Sequence, residues 1–191
     1  MTNPVLAVIV GSNRRESINK KLAQGLAKLA EGRFDVKFVK IDDLPIFNQD
    51  HEAAPPPAVV RFRDEISKAD ALLFVTPEHN RSIPAVLKNA IDWGSRPYGK
   101  SVWNGGKTAF VTGTTGGAIG TAMAQETLRT MLNFLGVHTL PAEAYITFKP
   151  GLIDDDGNIT SDDTRKFLQG FVDKLAELTK RLAPGKQRSA A

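Results

Sequence analysis

Val5-Leu6-Ala7-Val8-Ile9-Val10, followed by Gly11-Ser12-Asn13-Arg14-Arg15-Glu16-Ser17-Ile18-Asn19, is the stretch that decides the fold. The first six residues are an unbroken apolar run, short and rich in β-branched side chains. Such a run reads as a strand buried on both faces, as inside a parallel sheet. The nine residues that follow are polar, begin with a glycine suited to a tight turn, and lead into helical periodicity. Leu22, Leu26 and Leu29, with Ala23, Ala27 and Ala30, share one face of the helix expected over 19–29. The first amides of a helix have no intrahelical acceptor and carry partial positive charge. Hydroxyls at Ser12 and Ser17, the Asn19 amide and the Arg14 guanidinium can add donors to phosphate oxygens. Together they suit a terminal phosphate monoester, which carries nearly two charges.

The segment is not a P-loop, because no Gly-Lys-Ser/Thr follows, and the absence of Gly-x-Gly-x-x-Gly disfavours a dinucleotide pyrophosphate. Ser17 and Asn19 as a pair suit a helix cap as well as a ligand. The whole segment, set behind a buried first strand, reads as a phosphate site.

Beyond it the chain keeps alternating. Strands are expected over 34–41, 71–76 (ALLFVT), 107–112 (KTAFVT) and 137–146, the last broken near Pro141. Helices are expected over 59–67, 83–93, 121–135 and 164–182. Pro84 suits the first turn of the 83–93 helix. Met123, Leu128, Leu132 and Leu135 should face inward from the fourth helix, and Phe167, Phe171, Leu175 and Leu178 from the fifth. A Pro-, Asp- and Asn-rich loop covers 42–57, a Gly/Thr loop covers 113–120, and Asp154-Asp155-Asp156-Gly157 reads as a solvated acidic turn. Residues 1–182 then form one domain, and the polar tail 183–191 is expected to be disordered. Five strands alternating with helices give an α/β fold: a parallel sheet, helices on both faces, in a three-layer sandwich. The order 2-1-3-4-5 fits this element count. In that order ligands bind beyond the carboxyl ends of strands 1, 3 and 4. The loops there, 11–19, 77–84 and 113–120, are the three with unusual polar and glycine chemistry.

A chain of 191 residues suits one domain, and 41% hydrophobic with 24% charged residues argues against wholesale disorder. The absence of cysteine excludes disulfides, thiolate metal sites, thiol catalysis and iron–sulfur clusters. No apolar run approaches a membrane span, and the N-terminus lacks the charge and apolar pattern of a secretion signal, so a cytoplasmic location is expected. The net charge of +4 is mild and partly in the tail, and no basic patch interleaved with aromatics suggests nucleic acid.

Three motifs carry a resemblance: GSNRRESIN (11–19), PEHNRSIP (77–84) and LKNAIDWGSRP (87–97). In this order and spacing they resemble the NADPH-dependent FMN reductase family, which includes bacterial chromate and quinone reductases. The resemblance spans the first strand to roughly Leu135. It implies a flavodoxin-like fold, bound FMN, NADPH or NADH as donor, and a homodimer or homotetramer. Carried over by position, Ser12, Arg14, Ser17 and Asn19 would bind the phosphate. Pro77, Glu78, His79 and Asn80 would line the isoalloxazine edge, with Thr112, Thr115, Gly116 and Gly117 on its other side. His79 stands where family members often carry tyrosine, and no proton-transfer role is assigned to it. Trp93 reads as packing, and Arg96 as one half of a structural or intersubunit ion pair.

The activity implied is ping-pong hydride transfer from NAD(P)H through FMN to a small acceptor: a quinone, a metal oxyanion such as chromate, a flavin or an azo compound. Two other readings stand beside it. A flavodoxin-type electron carrier would bind FMN and serve protein partners, but flavodoxins are generally acidic, whereas this chain is basic and has Arg14 and Arg15 in its loop. A phosphate-binding α/β domain without flavin is the third.

Overall fold

The apolar run Val5–Val10 forms strand β1, with its four central residues buried. It lies between β2 (Asp35–Val39) and β3 (Ala71–Val75), parallel to both. The computed structural model describes residues 3–183. The expectation of a disordered tail therefore falls, beyond Ala183, outside the described residues. Strand β4 (Thr108–Thr115) pairs with β3, and the fifth strand is split as Pro141 demands. Its first piece, β5 (His138–Thr139), pairs with Thr108–Ala109, and its second, β6 (Ala144–Thr147), with Thr112–Thr115. Every pairing is parallel and the order is β2-β1-β3-β4-β5, with β6 also on β4. This is the flavodoxin-like arrangement.

Strand residues alternate between two apolar layers. Ala7, Ile9, Leu72, Phe74 and Val111 point to one side, where they meet helices α2 (Pro57–Ser67), α3 (Ala85–Ser95) and α4 (Ala122–Phe134). Leu6, Val8, Leu73, Val75 and Phe110 point to the other, against α1 (Ile18–Ala30) and α5 (Asp162–Leu182). Fully buried Trp93 and Trp103 belong to the first layer, and Trp93 Nε1 donates to Pro45 O at 2.7 Å. Trp93 is thus a packing residue. The break in the fifth strand is bridged by Arg129, whose guanidinium donates to Leu140 O at 2.7 Å and Ala142 O at 2.6 Å.

The structure corrects several sequence expectations. Strand β4 runs on to Thr115 instead of stopping at Thr112, because β6 supplies a partner as far as Thr115. The glycine loop is shorter for that reason. Met123 is 44% exposed and Phe167 48% exposed. On α4 the inward positions are Ala124, Leu128 and Leu132, one place out of phase with Met123. On α5 they are Leu168, Phe171 and Leu175, and Phe167 rests edge-on against Phe171 from outside. Pro84 precedes α3 as its cap and is not inside its first turn. Among the described residues no helix is long and apolar enough to cross a membrane.

Candidate functional site

Topology brings the three polar loops together at the carboxyl ends of β1, β3 and β4. A cleft of about 310 Å³ lies there, lined by Ser12, Arg14, Ser17 and Asn19, by Pro77, Glu78 and His79, and by Thr114 and Thr115. Gly11 begins the first loop, its N–H donating to Val75 O at 2.9 Å. A Cβ there would come within 3.0 Å of both Leu87 and Thr76 side chains, so the turn is packed tightly.

The first loop meets the requirements of an anion site. Ser17 is the N-cap of α1: its Oγ accepts from Lys20 N at 3.3 Å, which leaves its O–H free to donate. Among the described residues, no backbone N–H from Ser12 to Ser17 donates to another protein group. Four of these amides, at Ser12, Asn13, Arg14 and Ser17, belong to residues that line the cleft, beside two hydroxyls and the exposed Arg14 guanidinium. Glu16 does not line the cleft. This donor set fits a phosphate monoester, and hence the phosphate end of FMN.

Asn19 has a different placement. Its Nδ2 donates to Thr114 O at 3.0 Å and its Oδ1 accepts from Thr114 N at 2.9 Å. With 2% exposure, it pins the first turn of α1 to the end of β4. The sequence reading placed Asn19 in the site but had no signal for Thr114 as its partner, because the two lie 95 positions apart.

The second loop is a two-residue hairpin. His79 N donates to Ser82 O and Ser82 N to His79 O, both at 2.9 Å. Asn80 and Arg81 between them have φ of 51° and 65°, the geometry of a type I′ turn. Asparagine tolerates this region and arginine rarely enters it, so the turn is fixed by its surroundings. Asn80 itself lies outside the cleft lining. Glu78 turns its carboxylate toward α4, where Oε2 accepts from Met123 N at 3.0 Å and Ala124 N at 3.2 Å.

The third wall is the end of β4. Thr112 is fully buried and its hydroxyl donates to Ala144 O at 2.8 Å, so it holds β6 and does not line the cleft. Thr114 and Thr115 do line it, whereas Gly116 and Gly117 are exposed just beyond. A Cβ at Gly113 would lie 2.0 Å from Thr76 O, and this close approach of β4 to β3 admits only glycine. A larger groove of about 1020 Å³ runs along α4, β5 and the end of α5. It shares no residue with the three loops and lacks their set of unpaired amides.

The chain is similar to known proteins over most of its length. The model of the NADPH-dependent FMN reductase family matches residues 4–150. A quinone reductase of Pseudomonas putida is 52% identical over 177 residues, covering 92% of this chain and 94% of that protein. A 2-hydroxy-1,4-benzoquinone reductase of a Burkholderia species is 51% identical over 172 residues, covering 90% and 93%. Among solved structures, the flavoenzyme NAD(P)H:(acceptor) oxidoreductase of Paracoccus denitrificans matches with a TM-score of 0.90 at 45% identity, covering 94% of this chain and 98% of that one.

Proposed function

The chain belongs to the NADPH-dependent FMN reductase family, and from that premise we propose that it is an FMN-dependent NAD(P)H oxidoreductase with a quinone acceptor. The observation that carries this reading is the cleft at the ends of β1, β3 and β4, with its crown of unpaired amides at the start of α1. Bound FMN would supply the hydride chemistry, taking a hydride from the nicotinamide and passing it to the acceptor. The protein's own work is binding and placement. Ser12, Arg14, Ser17 and the free amides of the first loop hold the phosphate, and Asn19 keeps that loop seated on Thr114. Pro77 to His79 form one side of the ring site, with Asn80 in the turn behind them. Thr115, Gly116 and Gly117 form the other, with Thr112 holding the strand beneath them.

Donor and acceptor use one open face in turn, which gives ping-pong kinetics. Small anionic oxidants such as chromate fall within the same acceptor class, drawn by Arg14 and by Arg81, whose side chain is 73% exposed. The unit is a single domain over 1–182 that works in the cytoplasm as a homodimer or homotetramer. The exposure of Ile46 (88%) and Tyr98 (92%) supports an apolar subunit contact. Initial rates with NADPH or NADH against benzoquinone test the reading. Parallel double-reciprocal lines are expected. Converging lines would overturn the shared face, and no quinone-dependent turnover would overturn the function.

A further inference from the structure

We infer that Glu78 is a positioning residue that sets the spacing between two walls of the cleft through helix α4, with its carboxylate off the cofactor. The inference rests on the FMN reading above and deepens it. Helix α4 has no side-chain cap of its own. Its N-cap residue, Thr121, makes no capping bond, and its hydroxyl accepts from Gln125 Nε2 at 3.1 Å. The cap comes from 45 residues away: Glu78 Oε2 takes the N–H groups of Met123 and Ala124. A carboxylate at a helix N-terminus is favoured both by these amides and by the helix dipole. Arg81 Nη1 stands 3.7 Å from the other oxygen, Oε1.

Glu78 immediately precedes the His79–Ser82 hairpin on one wall. Helix α4 terminates the glycine loop of the other wall, which leaves β4 at Thr115. Gly116 to Ile119 are exposed. Their position depends on the two ends of the loop and on two bonds to Gly117 O, from Thr147 Oγ1 and from Gly120 N, both at 3.3 Å. The Glu78 cap fixes the α4 end against the hairpin. Core packing and the Gln125 bond to Ala144 O seat the body of α4, and the carboxylate ties its first turn to the hairpin, so that it helps to set how far apart the backbones of 77–80 and 115–117 stand. The phosphate loop is held separately, through Asn19 and Thr114.

Titration of the apoprotein with FMN and with riboflavin, which lacks the phosphate, tests the assignment. Glu78→Ala should weaken both flavins by the same factor, on the order of five- to tenfold. Glu78→Gln, which keeps an oxygen acceptor, should recover most of the affinity. Arg14→Ala should weaken FMN alone. Should Glu78→Ala not fold, Glu78→Asp, one methylene shorter, carries the same expectation. Unchanged affinity for both flavins, with only a lower melting temperature, would overturn the inference and leave Glu78 as a helix cap. A loss confined to FMN would also overturn it, by placing the effect at the phosphate. If the wild-type protein takes up neither flavin, the FMN reading falls and the inference with it.

Discussion

Asn19 spends both ends of its amide on the backbone of Thr114 in a nearly solvent-free position. Removing it leaves a buried N–H and a buried C=O without partners, and each unpaired group costs about 1–3 kcal/mol. Asn19→Ala should therefore lower unfolding free energy by about 2–4 kcal/mol in urea titration, and it should loosen the phosphate loop. Arg14 differs: it is exposed, at the mouth of the cleft, with no ion pair among the described residues. Arg14→Ala should leave stability unchanged and weaken FMN binding by about 1.5–3 kcal/mol, the scale of a charged hydrogen bond. Fluorescence titration with FMN reads this directly, and an unchanged affinity would remove Arg14 from the phosphate site. Residue by residue, then, the same short loop contains one side chain bound up in the fold and one left exposed at the cleft.

At the scale of elements, α1 and α5 are joined on the surface by Arg33, whose Nε donates to Asp173 Oδ1. The hydrogen bond from Arg33 holds the Asp173 carboxyl below its usual 3.8, opposed by partial burial. A depressed carboxylate binds fewer protons folded than unfolded, so it stabilises the fold above pH 3.8 and loses that contribution as the pH falls through the folded value. Asp173 is 44% exposed on its side chain, and solvent screening keeps the effect below about 1 kcal/mol. Asp173→Asn should accordingly be slightly less stable than wild type at neutral pH, with the gap closing under acid. Chemical denaturation at several pH values checks this. A gap that persists below the folded value would assign the effect to packing.

The elements also show what the sequence made legible. Strand β1 could be read to its boundaries because its apolar run is bracketed by proline and glycine, and Pro141 announced the split fifth strand. Positions 113–115 were not legible as strand. Glycine and threonine there mimic a loop, and only pairing with β6 makes them a strand. Met123 and Phe167 were misplaced because apolar identity was read as inwardness, while the helix phase was set by Leu128 and Leu168. The cap on α4 was hidden for another reason. Its carboxylate is supplied across 45 positions of chain, where local capping patterns give no signal.

At the scale of the whole molecule, five loop-bearing strand ends offer candidate sites, and the order β2-β1-β3-β4-β5 selects the crevice beside β1 and β3. The loops that carry the unusual chemistry are the ones this order gathers. Family membership then supplies the cofactor class. A reductase of this family takes electrons from a nicotinamide by itself, with no second protein. Anaerobic mixing of the purified, FMN-loaded protein with NADPH or NADH, without any other protein, tests it most directly. Rapid bleaching of the yellow flavin absorbance is expected, with its return on addition of a quinone. Flavin that stays yellow with both nicotinamides, and bleaches only when a separate reductase is added, would contradict it and identify an electron carrier.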